Sequence, residues 1–267
     1  MPSESFIASI NIKRCNPSFK ERFLKLIWNI HPGGPAFDAL LSRRLPELRH
    51  LPEWDAVDCI PAFDSTVVTI RQCPVGAWST PLIDTMVLAK CALGFQSKRI
   101  LEIGSYLGYT ARMLAENTGP EVKITTLDEY PEHGAAYRGT PLEQKIDRRI
   151  GKISLEHFGA DEKYDLIFVD ADHRFESALN DTCVALGLLA EKGVLVWHDY
   201  QNKDHFQGWN DVPEVLKLFS AHIPIVAIKG TWLAIHSRYA SWETAGLMKK
   251  KAPRSATDPW RDHTLRG

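Results

Sequence analysis

Cysteine is scarce and carries no pairing pattern. Cys15, Cys59, Cys73, Cys91 and Cys183 are the five in 267 residues, an odd number with no C-x-x-C spacing. This argues against a zinc ribbon or a disulfide framework and for free thiols in a reducing cytoplasm. Cys183 falls within an apolar helical pattern, where a small core residue is the expected role. An excess of one charge is also missing. Lys+Arg total 32 against Asp+Glu 33, a formal net charge of -1 with neutral His, so composition gives no electrostatic footprint for nucleic acid or an anionic membrane. No apolar run approaches the roughly 18 residues of a membrane span. The start, Met1-Pro2-Ser3-Glu4, lacks the basic and apolar regions of a signal peptide. Internal repeats are absent. The expected setting is therefore cytoplasmic, and the expected partner a small molecule.

What is present is ordinary globular material, with 44% hydrophobic and 24% charged residues, enough for a sizeable core. The length suggests one large domain, or one domain with an extension. The first 75 residues read as a helical cap. Within it, helices are expected over 18–31, ended by His31-Pro32-Gly33-Gly34-Pro35, and over 36–45, with a short strand over 66–70. The rhythm then changes, and a second unit is expected over 76–238. A helix over 81–93 precedes alternating strands and helices: strand 99–103, helix 109–117, strand 123–127, helix 141–149 and strand 150–153. Strand 166–169, helix 176–189, strand 194–197 and helix 212–220 follow. Such alternation predicts an α/β, doubly wound parallel sheet with helices on both faces. Segments 223–228 and 231–236, joined at Lys229-Gly230, predict an antiparallel hairpin. A polar tail, 239–267, carries Lys249-Lys250-Lys251, the pattern of a solvated segment. Apolar helix faces in the cap suggest a homodimer.

Four stretches carry chemistry. In Arg99-Ile-Leu-Glu102-Ile-Gly104-Ser105-Tyr106-Leu-Gly108, an apolar strand runs into a glycine turn that opens a helix. The glycines allow a tight turn and close backbone approach to a ligand, and the helix N-terminus favours a carboxylate or phosphate there. The spacing is G-x-x-x-G and not G-x-G-x-x-G. Asp128, with Glu129 after it, ends the next strand, where an acid can accept hydrogen bonds from ribose hydroxyls. Asp170-Ala-Asp172-His173 and His198-Asp199-Tyr200 end two further strands. Parallel strands present their carboxyl ends to one crevice, so these acids and imidazoles are expected to converge. Taken alone, the glycine turn and ribose acid also suit an NAD-linked oxidoreductase, and a non-catalytic binding module on the same fold stays open.

Together and in this order, Glu102-x-Gly104-x-x-x-Gly108, Asp128, Asp170-x-Asp172-His173 and His198-Asp199-Tyr200 resemble class I S-adenosylmethionine-dependent methyltransferases. The branch most similar is that of the catechol- and caffeoyl-CoA-type O-methyltransferases and their bacterial relatives, over residues 79–237. The resemblance implies a seven-stranded, mostly parallel sheet ending in the antiparallel hairpin. It also implies methyl transfer from S-adenosylmethionine to a small-molecule hydroxyl. It places Gly104, Ser105, Tyr106 and Gly108 under the methionine part of the cofactor, with Glu102 orienting that segment or binding the amine. Asp128 and Glu129 fall at the ribose, Lys152 beside the adenine and Asp170 at the methionine end. His173 and His198 are base candidates, with Asp199 as an orienting group. Asp170 and Asp199 would be the ligands of a Mg²⁺ ion. Metal-dependent members follow the last acid with Asn or Asp, where this chain has Tyr200.

Overall fold

A computed structural model describes residues 50–202 and 210–239. The cap helices expected over 18–31 and 36–45, the dimer contact assigned to them, and the polar tail from 240 onward lie outside the described residues, as does loop 203–209.

The strands of the sheet are β1 (Glu53–Trp54), β2 (Arg99–Ile103), β3 (Lys123–Asp128), β4 (Ile146–Ile150), β5 (Tyr164–Val169), β6 (Leu189–Trp197), β7 (Val226–Ile228) and β8 (Ala234–Ser237). The long helices are α1 (Leu82–Gly94), α2 (Tyr109–Asn117), α3 (Phe175–Leu188) and α4 (Val212–Ser220). The order across the sheet is β1-β7-β8-β6-β5-β2-β3-β4. β8 runs antiparallel to both its neighbours, while the other pairings are parallel.

Strands β2, β3 and β5 are buried along most of their length, as continuous apolar runs covered on both faces must be. Successive side chains go to opposite faces. Leu101, Ile103, Ile167 and Leu195 pack with Val184 of α3 and Phe219 of α4. Ile100, Ile124, Phe168 and Val196 pack with Leu88 of α1 and Leu114 of α2. The two cores stiffen the central strands, whose carboxyl ends carry the motifs. No described helix is long and apolar enough to cross a membrane.

Three expectations are corrected. The sheet has eight strands and not seven, because Glu53–Trp54 adds to its edge in parallel register with Ala227 and Ile228. The helix expected over 141–149 is one 3₁₀ segment, Pro141–Lys145, followed directly by strand β4, so the strand expected over 150–153 begins four residues earlier. There Ile146 pairs with Ile124 and is buried, and pairing with β3 outweighs the local helical pattern. Residues 66–70, expected as a strand, are irregular.

Candidate active site

The glycine turn is built by hydrogen bonds that tie four strand ends together. Gly104 N–H donates to the Leu127 carbonyl (2.8 Å), Asp170 N–H to Ile103 (2.8 Å) and His198 N–H to Val169 (3.0 Å). Gly104 has φ +83°, and a Cβ there would stand 2.0 Å from the Asp170 carbonyl oxygen. Left-handed backbone and contact with a carbonyl together demand glycine. Tyr106, with φ +45°, takes the same left-handed region at the strain of a side chain. Asp128 straps this turn. Its Oδ2 accepts from Ser105 N–H and Tyr106 N–H, each at 2.8 Å, and its Oδ1 from Tyr130 N–H at 2.8 Å. The acid expected at the ribose thus also fixes the loop expected under the methionine.

Glu102 lies behind the glycine turn. It is 1% exposed and does not line the cavity beside the turn. Its Oε2 has no hydrogen-bond partner among the described residues. Burial pushes its pKa up to about 8; Ser105 and the Ala111 backbone pull it down, against the charges of Asp170 and Asp128.

That cavity has a volume of about 460 Å³, the size of a small-molecule site. Gly104, Tyr106, Asp128, Glu129, Lys152, Asp170 and His173 of the expected site residues line it. Trp78, 70% exposed, stands at its wall. Asp128, Glu129, Asp170, Asp172, Glu176 and Asp181 contribute carboxyl groups, against Lys152 alone among lysines and arginines. Lys152 itself faces Glu129 at 3.5 Å. The lining is therefore acidic.

At one end the strand-end acids and imidazoles converge. His173 Nε2 lies 2.7 Å from Asp199 Oδ2 and 4.0 Å from Asp170 Oδ1. His198 Nδ1 lies 3.2 Å from Asp170 Oδ1 and 3.1 Å from Asp199 Oδ2, while its Nε2 lies 3.0 Å from Asp84 Oδ2. Thr80 Oγ1 donates to Asp170 Oδ2 at 2.7 Å. Burial works to lower both histidine pKa values, and the carboxylates outweigh it: His173 is pushed up to about 9 and His198 well above its ordinary value. Asp170 is held down at about 2 and Asp199 lower still; burial opposes this, and the facing imidazoles prevail. Both ring nitrogens of His198 face carboxylates, an arrangement that suits the imidazolium and leaves no acceptor nitrogen. Asp170, His173 and Asp199 each place one donor atom within 4.8 Å of the others, a spacing that could hold a metal ion. Asp199 takes φ +60°, and its neighbour Tyr200 turns its hydroxyl to the Leu51 N–H (2.8 Å).

Sequence reasoning missed Thr80, Asp84 and Asp181. Asp84 is 1% exposed on α1, and its partner His198 is 114 positions away. An acid within the apolar run Leu82-Ile83-Asp84-Thr85-Met86-Val87 was the one available signal.

Comparison with known proteins agrees with this geometry. The family model described as a methyltransferase domain matches residues 101–200. Catechol O-methyltransferase of Mycobacterium tuberculosis is 30% identical over 90 residues, which are 32% of this chain and 41% of that protein. The match therefore spans about two fifths of the curated relative. Among solved structures, the O-methyltransferase TomG of Streptomyces achromogenes, involved in tomaymycin synthesis and crystallised with S-adenosylmethionine, superposes with a TM-score of 0.51. It is 18% identical, with 70% of this chain and 97% of that one covered. An O-methyltransferase of Bacillus cereus, solved with S-adenosylhomocysteine, is 17% identical over 80% of this chain and 96% of its own, with a TM-score of 0.49. The glycine turn, the strapped acid and the Asp–His cluster all lie inside residues 101–200, the segment that matches the methyltransferase-domain model, and the fold around them is the one TomG shares.

Proposed function

We propose that this protein transfers a methyl group from S-adenosylmethionine to a hydroxyl oxygen of a small molecule. The observation that carries the choice of cofactor is the charge of the cavity. Six lining carboxyl groups against one lysine would repel the pyrophosphate of a dinucleotide. They suit a ligand bearing a sulfonium and an ammonium. The size fits as well.

When bound, S-adenosylmethionine supplies a methyl group already made electrophilic by its positive sulfur. The chain's own work is then alignment, exclusion of water and removal of the acceptor's proton. Gly104 and Tyr106 seat the methionine, and Asp128, its loop-facing bonds already made, keeps carboxylate lone pairs for the ribose. Asp170 is held rigid by Thr80 and His198 and faces the methionine end. His173 is the base in this reading. With Nε2 set against Asp199 at 2.7 Å, Nδ1 is the atom that takes the proton from the acceptor hydroxyl; because the facing carboxylates push His173 up to about 9, its neutral form is the minor one near pH 7, and transfer is expected to quicken as pH rises toward 9. His198 is assigned a holding role, as a buried cation between Asp84, Asp170 and Asp199. A divalent cation would meet Asp170 and Asp199 with His173 as third donor, and Tyr200 offers it nothing because its hydroxyl is engaged with Leu51. No step above depends on that ion. Five scattered cysteines with no pairing pattern suit a cytoplasmic setting.

Calorimetric titration with S-adenosylhomocysteine tests the reading. Wild type is expected to bind in the micromolar range and Asp128→Ala at least tenfold more weakly. Absence of binding by the folded wild type would remove the methyltransferase reading.

A further inference from the structure

A second cavity, of about 380 Å³, opens at the other end of the sheet. It is lined from the amino ends of β2, β3 and β5 and from β4. The crossover from β4 to β5 holds one 3₁₀ turn, Leu155–His157, in place of a long helix. Alternation puts Arg99 of β2, Lys123 and Thr125 of β3, and Asp147 and Arg149 of β4 on one face of the sheet, the face of Leu101 and Leu127. None of them has a part in the mechanism above. The charge of this cavity is opposite to that beside the glycine turn: Arg99, Lys123, Lys145 and Arg149 stand against Asp147 and Glu162.

Both acids are already answered. Arg149 holds Asp147 at 2.7 Å and Glu162 at 2.9 Å, and gives Nη1 to the His157 carbonyl at 2.7 Å. Lys145 turns its ammonium to the Ala115 and Thr118 carbonyls, at 2.7 and 2.8 Å. Outside the cavity, Glu121 is paired with Lys98 at 2.7 Å, and Asp165 accepts from the Lys98 and Arg99 N–H groups. Two cations are left. Arg99 reaches Glu162 only at 3.6 Å, and Lys123 has no ion pair or side-chain hydrogen bond among the described residues. The two are partners in the β2–β3 register, so they stand on neighbouring strands about 4.8 Å apart. Like charges set side by side in this way weaken a sheet, and an anion shared between them turns repulsion into attraction. The field of Lys123 is felt inside the cavity. Burial lowers the Lys145 pKa; the charge of Glu121 opposes this, and that of Lys123 adds to it.

We infer that this cavity is an anion site that takes a phosphate group, with Arg99 and Lys123 as its ligands. A guanidinium matches two phosphate oxygens at once, and an ammonium meets a third as a point charge. Thr125, Gln144 and Tyr164 give the remaining space a polar lining, which leaves room for a small polar molecule carrying the phosphate. Free phosphate and a phosphate monoester share this chemistry, and the test separates them. The inference stands apart from the S-adenosylmethionine reading, since the two cavities have no lining residue in common.

Calorimetry with inorganic phosphate and with ribose 5-phosphate tests it, at an ionic strength held constant with sodium chloride. Both are expected to bind saturably, with dissociation constants on the order of 1 mM or tighter, and ribose is expected not to bind. An ester held more tightly than the free ion would assign the remaining space to the carrier of the phosphate; equal affinities would assign the site to free phosphate. Lys123→Gln and Arg99→Gln are expected to weaken both ligands by about tenfold or more, the worth of one hydrogen bond to a charged group. Lys192→Gln removes the same charge from an exposed lysine outside the cavity, and should leave both affinities within about twofold of wild type. Urea unfolding confirms that each variant is folded, and Lys123, without a partner, has no contact to lose. Absence of saturable binding by wild type, cavity variants that bind as wild type does, or an equal loss in Lys192→Gln would each overturn the inference. None of these results touches the cofactor reading, which S-adenosylhomocysteine binding tests separately.

Discussion

Replacing Glu102 by Gln should change how stability depends on pH. The side chain is 1% exposed, lies behind the glycine turn, and has an oxygen without a partner among the described residues. Its pKa moves from 4.5 in a solvated chain up to about 8 in the fold. For an acid so shifted, the folded protein binds more protons than the unfolded one between these values, so stability falls as pH rises through that window and levels off above it. At about 1.36 kcal/mol per pH unit, the ceiling is about 5 kcal/mol over the full interval. Between pH 5 and pH 8 about 3 kcal/mol of it should be visible. Glutamine keeps the shape and cannot ionise. Urea unfolding of wild type and Glu102→Gln at pH 5, 6, 7 and 8 therefore should give stabilities that diverge with pH, the variant gaining about 3 kcal/mol relative to wild type by pH 8. In thermal unfolding this is on the order of 6–12 °C for a domain of this size. Parallel pH profiles would show that Glu102 is ionised and solvated in the fold, and the account of this position would be wrong.

Other outcomes follow from the site. Gly104→Ala must place a Cβ 2.0 Å from the Asp170 carbonyl at φ +83°, and should destabilise the fold by ~3 kcal/mol or more in urea unfolding. A loss below 1 kcal/mol would mean the turn is not clamped as described. His173→Gln should bind S-adenosylhomocysteine within about twofold of wild type while methyl transfer to any accepted hydroxyl falls by roughly 10²–10⁴, the usual worth of a positioned base. Unchanged turnover in a radiolabelled methyl assay would move the base elsewhere. Asp128→Ala should weaken S-adenosylhomocysteine binding at least tenfold, because one carboxylate both straps the turn and faces the cavity.

The parts of the fold legible in the sequence are those whose signal is local. Apolar strands ending in Gly104, Asp128, Asp170 and His198 announce a parallel sheet with a shared crevice, and the structure brings those ends together. What stayed hidden depends on residues far apart. Thr140-Pro141 followed by Leu142-Glu143-Gln144-Lys145 has the cap and composition of a helix, and Thr140 does accept from Leu142 N–H as a cap would. Only pairing with β3 turns Ile146 onward into a strand. Asp84 looks like an interruption of an apolar helix until His198 is placed beside it. Asn180 lies inside the helical pattern of α3, one more polar residue on a helix, until its amide meets the Ile153 carbonyl after β4. Glu102 was legible as a motif residue, but its depth was not, because alternation fixes the face and says nothing of what covers it.

The two-residue strand β1 has a consequence larger than its length. Val226, Ala227 and Ile228 of β7 are all buried, and without β1 that strand would present an apolar edge with unpaired backbone groups. Such an edge is a template for intermolecular pairing and aggregation. Ala227 N–H bonds the Pro52 carbonyl and Lys229 N–H the Trp54 carbonyl, so a short stretch of chain closes the sheet on that side. The same stretch is fastened by Leu51 to Tyr200 and by Glu53 to Gln201, directly after Asp199. Solubility and the placement of a catalytic-site carboxylate therefore share one fastening, and a truncation that removes residues 50–55 would cost the protein both.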